Sequence, residues 1–268
     1  MKSIEILAQP LAPVVPLRAH NNHGQAQDIY LVREQPLTIY LNRIEIVTLM
    51  TMGTEPAYLI AGFLLNQHLI ETIDDITSIH VDWTVNAAAV VAKNVHYVQE
   101  KTQQRVVTTG CGQGTMFSAV MEKVRAQVQD LPPLPTLTAE KIYALLRQLN
   151  DKNSVYRQAG AVHGCALCSD TQVIKVIEDV GRHNAVDGLS GFLALETPAH
   201  PPTIMYTTGR LTSEMVIKTA QMGLSVIISR SGATSMGVEV AEAAGITLIS
   251  RAQGKRFLVL SGQKRLQQ

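Results

Sequence analysis

The second half of the sequence predicts an α/β fold, on three observations. From about residue 138 onward, short apolar runs such as IMY, VII and ITLI alternate with stretches of helical periodicity, and the connections between them are short. Two of the helical stretches end in Gly223 and Gly245, the residue type that most easily adopts the left-handed cap of a helix C-terminus. Continuous apolar strands are those of a parallel sheet covered on both faces, and strand–helix alternation builds α/β layers.

The elements follow in order. Residues 1–28 carry prolines, an Asn-Asn-His-Gly stretch and no periodicity, and are expected to form a flexible arm. PLTIYLN and IEIVTLMTM are alternating β-rich runs joined at Asn42-Arg43, which predicts a hairpin. Asn tolerates the left-handed conformation of a tight turn; Arg tolerates it less well. Thr54-Glu55-Pro56 opens a helix, with Thr as cap and Pro in the first turn, and Leu59, Ile60, Phe63 and Leu64 form its apolar face. ITSIHVDWTV, AAAVVAKNVHYVQ and RVVTT read as strands leading to the glycine-flanked GCGQGT and a helix over Met121–Val128. DLPPLPTLT, with three prolines in four residues, marks a boundary near residues 130–138. It divides an N-terminal α+β part, 29–130, from a C-terminal α/β part, 138–268. Thr138 caps the helix AEKIYALLRQLN. Strand AVHGCALCS is followed by VIKVIEDVGRHN, helix NAVDGLSGFLAL, strand TIMYTTGR, helix SEMVIKTAQMG, strand SVIISRSGATS, helix MGVEVAEAAG and strands ITLISR and KRFLVLS.

Composition excludes several classes. Twenty-three Lys and Arg against 22 Asp and Glu give a net charge of +1, so the whole chain is no magnet for nucleic acid or an acidic membrane. Three cysteines make no disulfide framework. No run of 18 apolar residues can span a membrane, and prolines interrupt the N-terminal stretch that an export signal would need. The expectation is a cytoplasmic chain in a reducing compartment.

The chemistry gathers at the strand ends, where open α/β sheets hold ligands. TTGR, SRSGATS and SRAQGKR combine small residues, hydroxyls and the cations Arg210, Arg230, Arg251, Lys255 and Arg256. Each alone reads as an ordinary solvated loop; three together suit an extended anion such as a nucleotide or diphosphate. EDVGRHNAVD sets Glu178 and Asp179 beside Arg182, His183 and Asn184. Acid–base work and a structural role that holds Arg182 and caps the helix are both open, and spacing favours the structural one. Cys165 and Cys168 have CxxC spacing inside an apolar strand, where positions three apart face opposite sides, so they read as buried small hydrophobes. A zinc hydrolase built on His163, Cys165 and Cys168 lacks the H-x-E and P-C-x-x-C signature of the zinc deaminases. Cys111 stands apart. Between Gly110 and Gly112 nothing shields its thiol, and an exposed thiolate can attack sulfur.

AYLIAGFLLNQHLI, the GCG loop, GAVHGCAL, EDVGRHNAVDGL, TTGRLTSEMVIKTA and GITLISRAQGKRF, in this order between about Gln35 and Ser261, resemble the FdhD family of sulfur carriers. The resemblance implies a cytidine-deaminase-like, three-layer C-terminal part without the deaminase zinc, a homodimer, and sulfur transfer. Such proteins take sulfur from a cysteine desulfurase as a persulfide. They pass it to the metal of bis(molybdopterin guanine dinucleotide), a bound substrate, before that cofactor enters formate dehydrogenase. The family's persulfide position falls on Cys111, and its cofactor-binding segment on Arg251, Ala252, Gln253, Gly254, Lys255 and Arg256. Arg210, Ser229 and His183 join them as candidate cofactor contacts, with no intrinsic metal expected. Two positions depart from the pattern. Gly114 replaces the usual second loop cysteine, and Ala159-Gly160-Ala161 replaces Thr-Gly-Gly. Gly114 rules out a disulfide shuttle within the loop and favours an alternative, a cofactor chaperone without sulfur transfer.

Overall fold

The computed structural model describes residues 4–96, 137–152 and 154–267. These fall into two compact units: residues 4–96, 154–164 and 177–196 make the first, and 137–152, 165–176 and 197–267 the second.

The first unit is built on a five-stranded sheet. Its strands are β1 (Glu5–Leu7), β4 (Gln35–Leu41), β5 (Ile44–Thr51), β6 (Ile76–Asp82) and β7 (Ala87–Ala92), in the order β1-β6-β7-β4-β5. The predicted hairpin joins β4 to β5 through Asn42 and Arg43, both at positive φ (47° and 72°), so the Arg takes the strained position after all. Alternation along β4 buries Leu37, Ile39 and Leu41, which pack with Ile60 and Leu64 of helix α1 (Pro56–Asn66). Pro56 opens α1 as predicted, but the cap is Glu55 rather than Thr54, and no side chain caps the helix.

Residues 1–28, expected as a flexible arm, instead supply β1 and most of a ribbon, β2 (Val14–His20) paired with β3 (Ala26–Val32). Pro16 is no breaker there because it lies opposite Tyr30 in a two-stranded ribbon whose edges need no further donor. Asn21 closes the turn by accepting from the N–H groups of His23 and Gln25, 2.9 and 3.0 Å away.

Helix α3 (Ser154–Ala159) and helix α4 (Arg182–Leu195) also belong to the first unit. This departs from the sequential division 29–130 and 138–268, and two glycines account for it. A Cβ on Gly62 would run into the carbonyl oxygen of Asp187, and one on Gly191 into that of Tyr58. Bare backbone thus lets α1 and α4 cross at a distance that side chains would forbid.

The second unit holds the six-stranded sheet, ordered β10-β9-β11-β12-β13-β14. β9 (His163–Cys168) and β10 (Val173–Asp179) begin or end in the first unit; β11 (Ile204–Thr207), β12 (Val226–Ser229), β13 (Thr247–Gln253) and β14 (Arg256–Ser261) complete it. β11, β12 and β13 run parallel, as the apolar runs predict, but β9 and β14 pair with them antiparallel, so the sheet is mixed. Helix α5 (Ser213–Gln221) links β11 to β12, and helix α6 (Ser235–Ala243) links β12 to β13. Both predicted glycine caps form: Gly223 and Gly245 sit at φ 72° and 63°. Each donates to the carbonyl three residues back, and the next residue donates five back, the paired bonds of a Schellman motif. Helix α2 (Ala139–Lys152) follows the short strand β8 (Leu137–Thr138), with Thr138 at the cap position as expected and the Lys141 N–H 3.4 Å from its hydroxyl. It buries Ile142, Leu145 and Leu149 in the core that includes Ile204, Tyr206 and Ile249.

Candidate functional site

Cys111, its glycine loop, strand RVVTT and helix Met121–Val128 lie outside the described residues.

In the second unit, the loops after β11 and β12 are closed by the last hydroxyl of each strand. Thr207 Oγ1 accepts from the Gly209 N–H at 3.0 Å, and Ser229 Oγ accepts from the Ser231 N–H at 2.9 Å. Ser229 Oγ also donates to the Gly209 carbonyl at 2.6 Å, and the Cys165 thiol donates to Thr207 Oγ1 at 3.2 Å. Backbone bonds continue the row: Arg230 N–H to Thr207 O (3.0 Å), Leu211 N–H to Gly232 O (3.0 Å) and Arg251 N–H to Ser231 O (2.8 Å). Three strand ends therefore form one hydrogen-bonded rim.

Arg251 sits on that rim at φ 51°, a conformation that costs a side-chain-bearing residue about 1 kcal/mol. The strand pairing slips between Ser250 and Gln253, so Arg251 lies in a bulge. Beyond it, Gln253 pairs with Arg256 across a hairpin turn at Gly254 (φ 58°) and Lys255. Arg251, Gln253, Gly254, Lys255 and Arg256 are exposed, as is Arg210. Ala252 is buried in the core with Ile249 and Ile228, and Ser229 has no exposed surface. The charge balance is local: from Thr203 to the C-terminus there are eight Lys and Arg against three Glu, in a chain whose total is +1. That segment is where an anion would be drawn.

In the first unit, the two carboxylates of EDVGRHN divide their work. Glu178 accepts from the N–H groups of Val155 and Tyr156 at 2.9 and 2.8 Å, and so caps α3 rather than the helix that follows it. Asp179 accepts four bonds. The Thr51 hydroxyl and Met52 N–H meet one oxygen at 2.5 and 3.2 Å. The Gly181 N–H and Asn184 Nδ2 meet the other at 3.1 and 2.8 Å. Burial pushes the Asp179 pKa up, and the four donors only partly offset it. Asn184 Nδ2 also donates to the Met50 carbonyl at 2.7 Å. The turn from which Arg182 and His183 open α4 is thereby pinned to the end of β5. These bonds are structural, as spacing favours, but they are not the expected ones: among the described residues neither carboxylate hydrogen-bonds Arg182, and Glu178 caps α3. Arg182 Nε is buried and makes no hydrogen bond among the described residues.

Cys165 and Cys168 are both buried. Cys168 lies in the hydrophobic core, and burial pushes its thiol up to about 12, out of reach of thiolate chemistry at neutral pH. Among the described residues no three His, Cys, Asp or Glu side chains gather as a metal would require, and His163 with the two cysteines is no exception. No described helix is long and apolar enough to cross a membrane.

Thr207 is not a site candidate in the sequence, and Asp179 is one only as a carboxylate beside His183, yet both organise the candidate loops. A signal was present. Thr51, Asp82, Asp179, Thr207 and Ser229 each end a strand and accept the N–H two residues on. This local turn is written as a hydroxyl or carboxylate, any residue, then a small residue with a free N–H.

The comparisons with known proteins agree with this architecture. The profile of the FdhD/NarQ family matches residues 32–267. A sulfur carrier protein FdhD from Listeria innocua is 32% identical over 235 residues, 87% of this chain and 90% of the relative. One from Bacillus licheniformis is 31% identical over 252 residues, 93% of this chain and 95% of the relative. The crystal structure of a candidate formate dehydrogenase accessory protein from Desulfotalea psychrophila superposes with a TM-score of 0.73 at 28% identity, covering 96% of this chain and all of that one. With a mixed α/β architecture shared across nearly its whole length and a family profile spanning both of its units, this chain belongs to the FdhD/NarQ family.

Proposed function

We propose that the chain is a sulfur carrier serving formate dehydrogenase, working in the cytoplasm as a homodimeric sulfurtransferase. Cys111 takes sulfur from a cysteine desulfurase. Its thiolate attacks the outer sulfur of the donor's persulfide; an S–S bond forms on Cys111, the donor's S–S bond breaks, and the donor leaves as a thiolate. The terminal sulfur would then pass to the metal of bis(molybdopterin guanine dinucleotide), held as substrate, before that cofactor enters formate dehydrogenase: the S–S bond on Cys111 breaks, Cys111 leaves as its thiolate, and the reduced metal would supply the electron pair. Arg251–Arg256 and Arg210 take the phosphates of the guanine dinucleotide, with His183 a further contact. Ala252 contributes through its backbone, because its side chain is in the core.

The observation that carries this reading is the near full-length similarity to proteins named sulfur carriers, which spans the Cys111 position and the 251–256 segment. The local excess of cations along the tied strand ends supports the phosphate assignment. A second reading, a chaperone that delivers the cofactor unaltered, is favoured by Gly114 in place of a second cysteine. Mass spectrometry after incubation with a cysteine desulfurase and cysteine separates the two. Added sulfur on the wild type and none on Cys111→Ala is the expected result; an unmodified wild type, with guanine nucleotide binding intact, selects the chaperone.

A further inference from the structure

This inference rests on the reading of the basic strand ends as a phosphate site. We infer that Thr207 and Ser229 are positioning residues, whose buried hydroxyls lock the backbone that carries Arg210 and Arg251 so that the rim takes a diphosphate in preference to a single phosphate. Ser229 was itself a candidate contact, but it has no exposed surface, and its oxygen both accepts from Ser231 and donates to Gly209. Thr207 is equally buried and accepts from Gly209 and from the Cys165 thiol. Gly209, the residue before Arg210, is thus held by its N–H and by its carbonyl.

The lock continues to the next cation. Ser229 fixes the N–H of Ser231, and the Ser231 carbonyl receives the Arg251 N–H, which holds Arg251 in its left-handed bulge. A residue in that conformation persists only where its surroundings over-determine it, and such positions cluster at ligand clamps. β11 and β13 flank β12, so the strands that lead to Arg210 and carry Arg251 are two strand spacings, about 10 Å, apart. Two guanidinium groups set that far apart reach two phosphoryl groups more readily than one, provided that neither loop drifts.

Calorimetric titration of the full chain with GDP and GMP tests this. The wild type is expected to bind GDP more tightly than GMP. Ser229→Ala and Thr207→Val should each weaken GDP binding about tenfold, equivalent to about 1.4 kcal/mol. GMP binding should weaken less, so the preference contracts. Thr207→Ser, which keeps the hydroxyl, should retain wild-type values, and this separates loss of the tie from general loss of fold. Wild-type GDP affinity in both Ser229→Ala and Thr207→Val overturns the inference, as does an equal loss for the two nucleotides. A wild type that binds neither nucleotide overturns the phosphate-site reading itself, and the inference with it.

Discussion

Replacing Asp179 with Asn tests the assignment of its carboxylate as the pin of the first unit. The side chain is 5% exposed and both oxygens accept two donors. An amide keeps one accepting oxygen. Its NH2 group does least harm opposite Thr51, whose hydroxyl can turn and accept, but the Met52 N–H beside it is then buried without a partner. One such N–H costs about 1–3 kcal/mol, and the surviving bonds lose the reinforcement of a charge. The expected loss in Asp179→Asn is therefore about 2–3 kcal/mol at neutral pH. The pH dependence has a definite sign. Burial raises the Asp179 pKa above its unfolded value, so the folded state binds the proton more tightly. Its contribution to stability is then full in acid and declines as pH rises through the folded pKa. Asn has no such titration, so the gap between wild type and variant should widen as pH falls through the raised folded pKa of Asp179. Urea unfolding followed by Trp83, the single tryptophan and a residue of the same unit, measures both quantities. A loss below about 0.5 kcal/mol, or a gap that narrows in acid, refutes the reasoning.

Other outcomes follow from the same structure. Gly62→Ala should lower stability by about 3 kcal/mol or more, since the added methyl meets the Asp187 carbonyl rather than a movable side chain; a denaturation midpoint equal to wild type would contradict the close helix crossing. Gly245→Ala should cost about 1 kcal/mol through its positive φ, measured in the same way. Cys168 should resist alkylation in the native protein at mildly alkaline pH and react on unfolding, because its thiol sits at about 12; peptide mapping that finds it modified in the folded state would refute the buried assignment.

Much of the second unit was legible because its signals are local. Apolar runs fixed the strands, and Gly223 and Gly245 fixed the helix ends, since each rule concerns a few adjacent residues. The antiparallel pairings of β9 and β14 were not legible, because strand direction is settled by partners distant in sequence. The N-terminal ribbon was missed because prolines read as breakers, although an unpaired edge leaves Pro16 without a penalty. In the candidate site, the cations were visible as residue types. The buried state of Ser229 and Ala252 was not, because it depends on which face of a strand the sheet covers. Asp179 was noted as a carboxylate, but its partners Thr51 and Met52 lie more than 120 positions away.

The glycine-mediated contact between α1 and α4 bears on how the protein is made. The core of the first unit draws on the helix ending at Leu195, so most of the second unit's early segments must be synthesised before that core can close. During translation α1 waits, its glycine face unmet by α4, for nearly half of the chain to follow it. Neither unit can be cut out as one continuous stretch, so the gene offers no single site at which splitting yields two independently folding halves.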